Sequence, residues 1–171
     1  MRDLAGSLQA MARFGVFAVV VLAGCTGGGR APAPAVTTAP DFELTDVNGK
    51  TFRFSEGKGT VRLVDFWATW CAPCREEIPM FKDLQTTYGP KGFTLVGIAM
   101  DDEGLSKVKP YVDDLQLPYL TLIGNDDVAE AFGGVVGFPT KFLVDREGRI
   151  VDNWVGAVPR AVLEKRIQSL L

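Results

Sequence analysis

Hydrophobic and polar positions change period several times along the chain, and each change marks an element. Arg2 and Arg13 precede an apolar run, Phe14 to Ala23, that is too short to span a bilayer and reads as an export signal outside the fold. Thr26 to Pro40 is Gly, Ala, Pro and Thr with one charge and no apolar periodicity, which predicts a flexible linker. Alternation then begins: Phe42-Glu43-Leu44 and Phe52-Arg53-Phe54 flank Asn48-Gly49, a strong hairpin signal, so a folded domain is expected from about Asp41. Val61 to Trp67 is an apolar run broken by Arg62 and Asp65, the pattern of a central strand covered on both faces. From Ala72 to about Tyr88, residues Cys74, Ile78, Phe81, Leu84 and Tyr88 recur at helical spacing; Pro79 should kink this helix, and Gly89-Pro90 should end it.

The rest of the chain alternates in kind. A strand is expected over Phe93 to Met100, an amphipathic helix over Leu105 to Leu115, a short strand over Tyr119 to Leu122 and a short helix over Val128 to Phe132. Strands at Thr140 to Val144 and Ile150 to Val155 follow, joined by the turn Asp145-Arg146-Glu147-Gly148, with a last helix from Pro159. There is no internal repeat. The expected organisation is an export signal over 1–24, a linker over 25–40 and one α/β domain over 41–171.

Composition removes more chemistry than any motif does. The net charge of −3 and a pI near 5.0, with no run of Lys or Arg, argue against nucleic acid as a partner. Histidine is absent, which removes the commonest general base and the imidazole ligands of most zinc and copper sites. Three cysteines, Cys25, Cys71 and Cys74, are too few for a disulfide scaffold or a four-cysteine metal site. Cys25 closes Leu22-Ala23-Gly24-Cys25, which is similar to a bacterial lipobox, so Cys25 is expected to be lipidated and to become the mature N-terminus.

Cys71 and Cys74 stand where a buried strand runs into a helix, in Trp67-Ala68-Thr69-Trp70-Cys71-Ala72-Pro73-Cys74. Two intervening residues bring both sulfurs to the first helical turn, close enough for a disulfide. The free N–H groups and dipole of the helix start favour a thiolate at Cys71. Cys74 shares the apolar stripe with Ile78 and Phe81, so its sulfur is expected to be buried and that of Cys71 accessible. Cys71 is therefore the expected attacking thiol and Cys74 the resolving one, with no cofactor beyond the pair itself.

With these residues in hand, the sequence resembles the thioredoxin superfamily, and within it extracytoplasmic thioredoxin-like proteins of the TlpA/ResA type. The resemblance runs from about Pro40 to the C-terminus. It rests on Val64-Asp65-Phe66-Trp67-Ala68-Thr69-Trp70-Cys71-Ala72-Pro73-Cys74, on Glu77-Ile78-Pro79, and on Gly137-Phe138-Pro139-Thr140 ahead of a strand. It implies a thioredoxin-like fold, a central mixed sheet flanked by helices, with the hairpin as an N-terminal extension. It implies that Pro139 is cis against the cysteine pair and that the backbone of Phe138 pairs with a substrate peptide, which makes Phe138 a specificity residue. Trp70, Ala72 and Pro73 join Phe138 and Pro139 as expected substrate contacts, whereas Trp67, in the apolar strand, is assigned to the core.

The resemblance also suggests two proton acceptors. Asp65 matches the buried aspartate of thioredoxins, and Glu77 matches the glutamate beyond the cysteines in TlpA/ResA-type proteins. Thioredoxins pair their aspartate with a lysine from the neighbouring strand, and Phe93 to Met100 has none, so the sequence departs there from the full thioredoxin arrangement. Oxidising relatives carry a histidine between the cysteines; Ala72-Pro73 supplies no such donor, which places the couple nearer thioredoxin, at roughly −270 mV, than DsbA, at roughly −120 mV. The expected activity is reduction of disulfides in exported proteins by a monomer lipid-anchored at the periplasmic or cell-envelope face of a bacterial membrane. Apocytochrome c is one candidate substrate, and a membrane thiol-disulfide carrier would return the electrons. Two other readings use the same cysteines: a Cu(I)-binding metallochaperone, disfavoured by the missing histidine, and a thiol peroxidase, disfavoured by the exchange spacing.

Overall fold

The structure, a computed structural model, describes residues 37–171. The expected export signal, Cys25 and the expected linker up to residue 36 lie outside the described residues. Among the described residues, eight strands and four α-helices follow in the order β1 (Thr37–Thr38), β2 (Glu43–Thr45), β3 (Thr51–Arg53), β4 (Val61–Trp67), α1 (Ala72–Tyr88), β5 (Phe93–Ala99), α2 (Leu105–Leu115), β6 (Leu120–Ile123), α3 (Asp126–Ala131), β7 (Thr140–Val144), β8 (Arg149–Val155) and α4 (Arg160–Gln168). One six-stranded sheet has the order β1-β8-β7-β4-β5-β6. β4 pairs parallel with β5, and β5 with β6; β7 is antiparallel to both β4 and β8, so the sheet is mixed. This is the thioredoxin-like architecture, with helices on both sides of a central sheet.

The short hairpin β2–β3 forms around Gly49, whose φ of 82° is the left-handed conformation a tight turn asks of glycine. One departure concerns the start of the sheet. Thr37–Thr38 pair with Ile150 and Arg149 at its edge, and Ala39 is buried, so ordered structure begins before Asp41. Two β-prone threonines supply backbone pairing without any apolar alternation to announce it.

β4 is buried along its whole length because both of its faces are covered. Val64 and Phe66 face Val96, Ile98 and Phe142 on one side, under the aromatic rings of Phe54 and Phe132. Val61 and Leu63 face Leu95 and Leu143 on the other, under Phe81 and Leu84 of α1 and Leu163 and Ile167 of α4. Arg62 is buried by turning back on the chain: Nη1 donates to the Phe54 carbonyl at 2.5 Å and the guanidinium lies 3.8 Å from the Phe54 ring centroid. Helix α1 runs unbroken through Pro79, and a 3-10 turn at Gly89–Lys91 ends it. A consequence for the site is that β4, the most deeply buried strand, delivers the chain directly to the first turn of α1.

Candidate active site

The turn from β4 into α1 is held by two sets of hydrogen bonds. Met100 N donates to the Trp67 carbonyl at 2.8 Å and Cys71 N to the Ala68 carbonyl at 3.1 Å. Asp101, just beyond β5 and buried, accepts from Thr69 N at 3.0 Å and also from the Thr69 hydroxyl. Cys71 is the N-cap residue of α1, and its sulfur accepts from Cys74 N at 3.3 Å. Pro73 sits in the first turn, where its missing N–H removes nothing the helix needs. Cys71 and Cys74 are joined in a disulfide with Cα atoms 5.3 Å apart.

The two sulfurs are less different in exposure than the sequence suggests. Cys71 is 4% exposed and Cys74 2%, so Cys71 is not the open tip expected of it. The disulfide draws both residues into an apolar cluster with Trp67, Ala99 and Val108, and Phe138 packs on its edge. Trp67 is buried in that cluster beside Tyr111, whereas Trp70 is 65% exposed and meets the Phe138 ring edge-on at 5.8 Å. The Phe138–Pro139 peptide is cis. Ala72 and Pro73 are exposed beside the cysteines. Trp70 and Phe138 therefore form an apolar rim beside the disulfide.

Behind the cysteines lies a buried charged cluster. Asp65 on β4 is directly opposite Lys141 on β7. Lys141 is fully buried; its Nζ donates to Glu77 Oε2 at 2.7 Å and to the Gly156 carbonyl at 3.2 Å, and stands 3.6 Å from Asp65 Oδ1. Glu77, one helical turn beyond Cys74, is also buried, and its second oxygen accepts from Val158 N at 2.9 Å. It is not the solvated helix charge that its position on α1 permits. Asp65 Oδ1 has no hydrogen-bond partner among the described residues. Burial drives the Asp65 carboxyl up to about 7, Lys141 pulls it down and Glu77 pushes it up. Burial, with Asp65 nearby, likewise pushes the Tyr119 hydroxyl up.

Lys141 corrects one expectation. The lysine thought to be missing is present, but on the antiparallel neighbour of β4 rather than on the parallel one, Phe93–Ala99. A lysine directly ahead of the apolar segment Phe142-Leu143-Val144 was the available signal, since a charge in a buried strand needs a partner. Asp101 and Thr69 were also missed, because a carboxylate just past a strand reads as a turn residue until its partner is known. A concavity of ≈ 560 Å³ lined by Phe132, Phe142 and Ile150 shares no residue with the cysteine site. The site itself is a rimmed surface, a shape suited to a macromolecular substrate.

Comparison with known proteins agrees with this geometry. The chain is 30% identical over 132 residues, 77% of its length and 76% of the relative's, to the thiol-disulfide oxidoreductase ResA of Bacillus thuringiensis strain Al Hakam. It is similar to the crystal structure of a thioredoxin-family thiol:disulfide interchange protein from Chlorobium tepidum TLS, with a TM-score of 0.73 and 35% identity over 81% of this chain and 98% of that one. A second Chlorobium tepidum structure, a putative thiol:disulfide interchange protein DsbE, gives a TM-score of 0.74 and 30% identity over 79% and 96%. The family model described as AhpC/TSA matches residues 36–153, which contain the strand–turn–helix, the disulfide and the cis-proline loop. A cysteine pair so placed, on a thioredoxin-like sheet that aligns with these enzymes, makes the chain a member of the AhpC/TSA family and a thiol-disulfide oxidoreductase of the ResA/DsbE type.

Proposed function

We propose that this oxidoreductase works in the reducing direction on disulfides of exported proteins, tethered outside the cytoplasm by a lipid on Cys25. The observation that carries the direction is the poverty of donors around Cys71. Its sulfur accepts from Cys74 N alone among the hydrogen bonds of the described residues, and Ala72 and Pro73 have no side-chain donor to offer. A thiolate so sparsely supported holds the reduced form only modestly, which favours giving electrons away.

The chemistry then runs in two exchanges. The Cys71 thiolate attacks a substrate disulfide, forming a Cys71–substrate S–S bond while the other substrate sulfur leaves and takes up a proton. Cys74 then attacks Cys71, the mixed disulfide breaks and the second substrate sulfur leaves. Two electrons have passed to the substrate, and the Cys71–Cys74 disulfide remains. Cys74 must shed its proton in a buried setting, and Asp65, with its carboxyl at about 7 and Oδ1 accepting no hydrogen bond among the described residues, is suited to take it. Trp70, Ala72, Pro73, Phe138 and Pro139 frame the docking surface for an extended substrate segment. Apocytochrome c fits as a substrate by virtue of its cysteine pair, and a membrane thiol-disulfide carrier would re-reduce the site; the pair needs no other cofactor.

The equilibrium potential of the Cys71–Cys74 couple tests the direction. A value near thioredoxin, roughly −270 mV, is expected, and one near DsbA, roughly −120 mV, would reverse it. The two competing uses of the pair are separable in the same preparation. Stoichiometric Cu(I) binding by the reduced protein would favour a metallochaperone, and rapid consumption of hydrogen peroxide a peroxidase.

A further inference from the structure

Arg62 is the charge in β4 that the cysteine chemistry leaves unused. It stands near the start of the strand, opposite Val144 on β7 and Thr94 on β5, and only 2% of it is exposed. Burying a guanidinium is costly unless its N–H groups find acceptors. Part of that need is met: the Phe54 ring covers one face at 3.8 Å, and Nη1 donates to the Phe54 carbonyl. Nε has no hydrogen-bond partner among the described residues. Nη1 lies on the same side as Cδ, against Gly57, and Nη2 lies toward Gly148. The edge left over is therefore Nε with Nη2, the parallel pair of donors that grips an oxyanion bidentately.

That edge borders a cavity of ≈ 160 Å³ walled by Arg62, Phe54, Ser55 and Gly148, with the exposed Lys58 at its mouth. Three carboxylates lie nearby, and each is committed to other donors. Asp145 accepts from Arg149 Nε at 2.6 Å and from the N–H groups of Glu147 and Arg149. Glu147 accepts from Arg149 Nη2 at 3.0 Å, and Asp41 from Ser55 N at 2.8 Å. Asp145 and Asp41 act on Arg62 through their charge, and Asp41 feels Lys58 in the same way. The cavity thus presents one buried cation with a free bidentate edge and a second cation at the opening. A phosphate, with up to two charges and several acceptor oxygens, answers that pair better than a carboxylate does.

We propose that this cavity is a phosphate-binding site, in which the Nε and Nη2 edge of Arg62 holds two oxygens and Lys58 neutralises the remaining charge. β4 separates it from the cysteines. Arg62 stands near one end of the strand and Trp67 at the other, roughly 17 Å apart at ~3.3 Å per residue, so the site is distinct from the disulfide. Gly57 keeps the guanidinium in place by being small: a Cβ there would come within 3.2 Å of Arg62 Cδ and 3.3 Å of Nη1. Thr38 and Ala39 also line the cavity, so the chain enters the domain beside it, with Thr38 thirteen positions after Cys25. A phospholipid headgroup is one source of the phosphate, and that source alone rests on the lipid tether proposed above. A free phosphate or phosphate monoester is the other.

The test uses the oxidised full-length protein and two probes, inorganic phosphate and monomeric dihexanoyl phosphatidylglycerol, each against chloride at matched ionic strength. Binding is read from urea midpoints and from the Arg62 Nε–H, Gly57 and Gly148 signals in nitrogen-15 NMR. Phosphate should raise the midpoint saturably and shift all three signals, and chloride should do neither. Arg62→Met keeps an unbranched stem and removes the donors, so it should weaken phosphate binding by more than about tenfold. Lys58→Ala, at an exposed position, should weaken it about three- to fivefold and decides the matter if Arg62→Met does not fold. A response to phosphatidylglycerol as well assigns the phosphate to a headgroup, and a response to inorganic phosphate alone assigns it to a soluble ligand. Arg62 signals that neither probe moves would overturn the proposal, as would wild-type binding by Arg62→Met or by Lys58→Ala.

Discussion

Asp101 accepts both hydrogen-bond donors of Thr69, the backbone N–H and the side-chain hydroxyl, from a buried position just past β5. The turn that carries Trp70 and Cys71 is thereby pinned to the parallel neighbour of β4 from the side opposite Lys141. Thr69→Val keeps the volume and the amide but removes the hydroxyl from a buried carboxylate, which should cost about 1–3 kcal/mol in denaturant midpoint experiments. Thr69→Ser retains both donors and should recover most of that loss. Equal stability of the Val and Ser variants would show that the hydroxyl contributes nothing.

The division of labour between the sulfurs is open to trapping. Cys74→Ser leaves the attacking thiol in place with nothing to resolve the mixed disulfide, so it should accumulate covalent adducts with disulfide substrates, and Cys71→Ser should capture almost none. Non-reducing gel shift followed by mass spectrometry distinguishes them. Capture by both variants to the same extent would contradict the assignment of Cys71 as nucleophile.

Asp65 also governs stability against pH. Its carboxyl rises from an ordinary 3.8 to about 7 on folding, so between those values the folded protein binds the extra proton. Stability is therefore highest below about 4 with respect to this group and is lost as pH rises through about 7, by roughly 2–4 kcal/mol in all. Asp65→Asn should flatten that part of the profile and raise stability at pH 8 while slowing disulfide exchange. Urea titrations of the oxidised protein at pH 5 and pH 8 measure it, and an unchanged pH dependence in the variant would locate the effect elsewhere.

Trp70 has the profile of a binding residue, with 65% of its surface exposed and one edge contact to Phe138. Trp70→Ala should leave stability within about 0.5 kcal/mol. It should raise KM for a protein disulfide by about fivefold, as expected for losing an aromatic contact of ~1 kcal/mol, with kcat little changed. Reduction of a small disulfide such as oxidised glutathione should be almost unaffected. A matching loss on both substrates would place Trp70 in the chemistry instead of the docking surface.

The tether has its own test. Cys25→Ser should release the protein from the membrane fraction and abolish labelling with a fatty-acid probe, whereas retention of the variant would indicate an uncleaved N-terminal anchor.

Local pattern was enough to place most of the elements and the cysteine pair. The apolar run Val61–Trp67, the helical spacing from Cys74 to Tyr88 and the Asn48-Gly49 turn each encode their structure within a few residues, and α1, α2 and β7 have the limits that this spacing predicts. The cis peptide before Pro139 was legible through its surrounding motif. What tertiary structure decided were the partners of buried charges. Whether Asp65 has a lysine depends on which strand lies antiparallel to β4 and in which register, and Lys141 lies 76 positions away in sequence. Whether Glu77 is solvated depends on the Gly156–Val158 loop folding over it, and whether Cys71 is open depends on the apolar cluster of Trp67, Ala99 and Val108 that the cysteines join. Periodicity reports which face of an element is apolar. A buried charge is stabilised by the particular donor that chain topology brings within about 3 Å of it, and no local pattern carries that information.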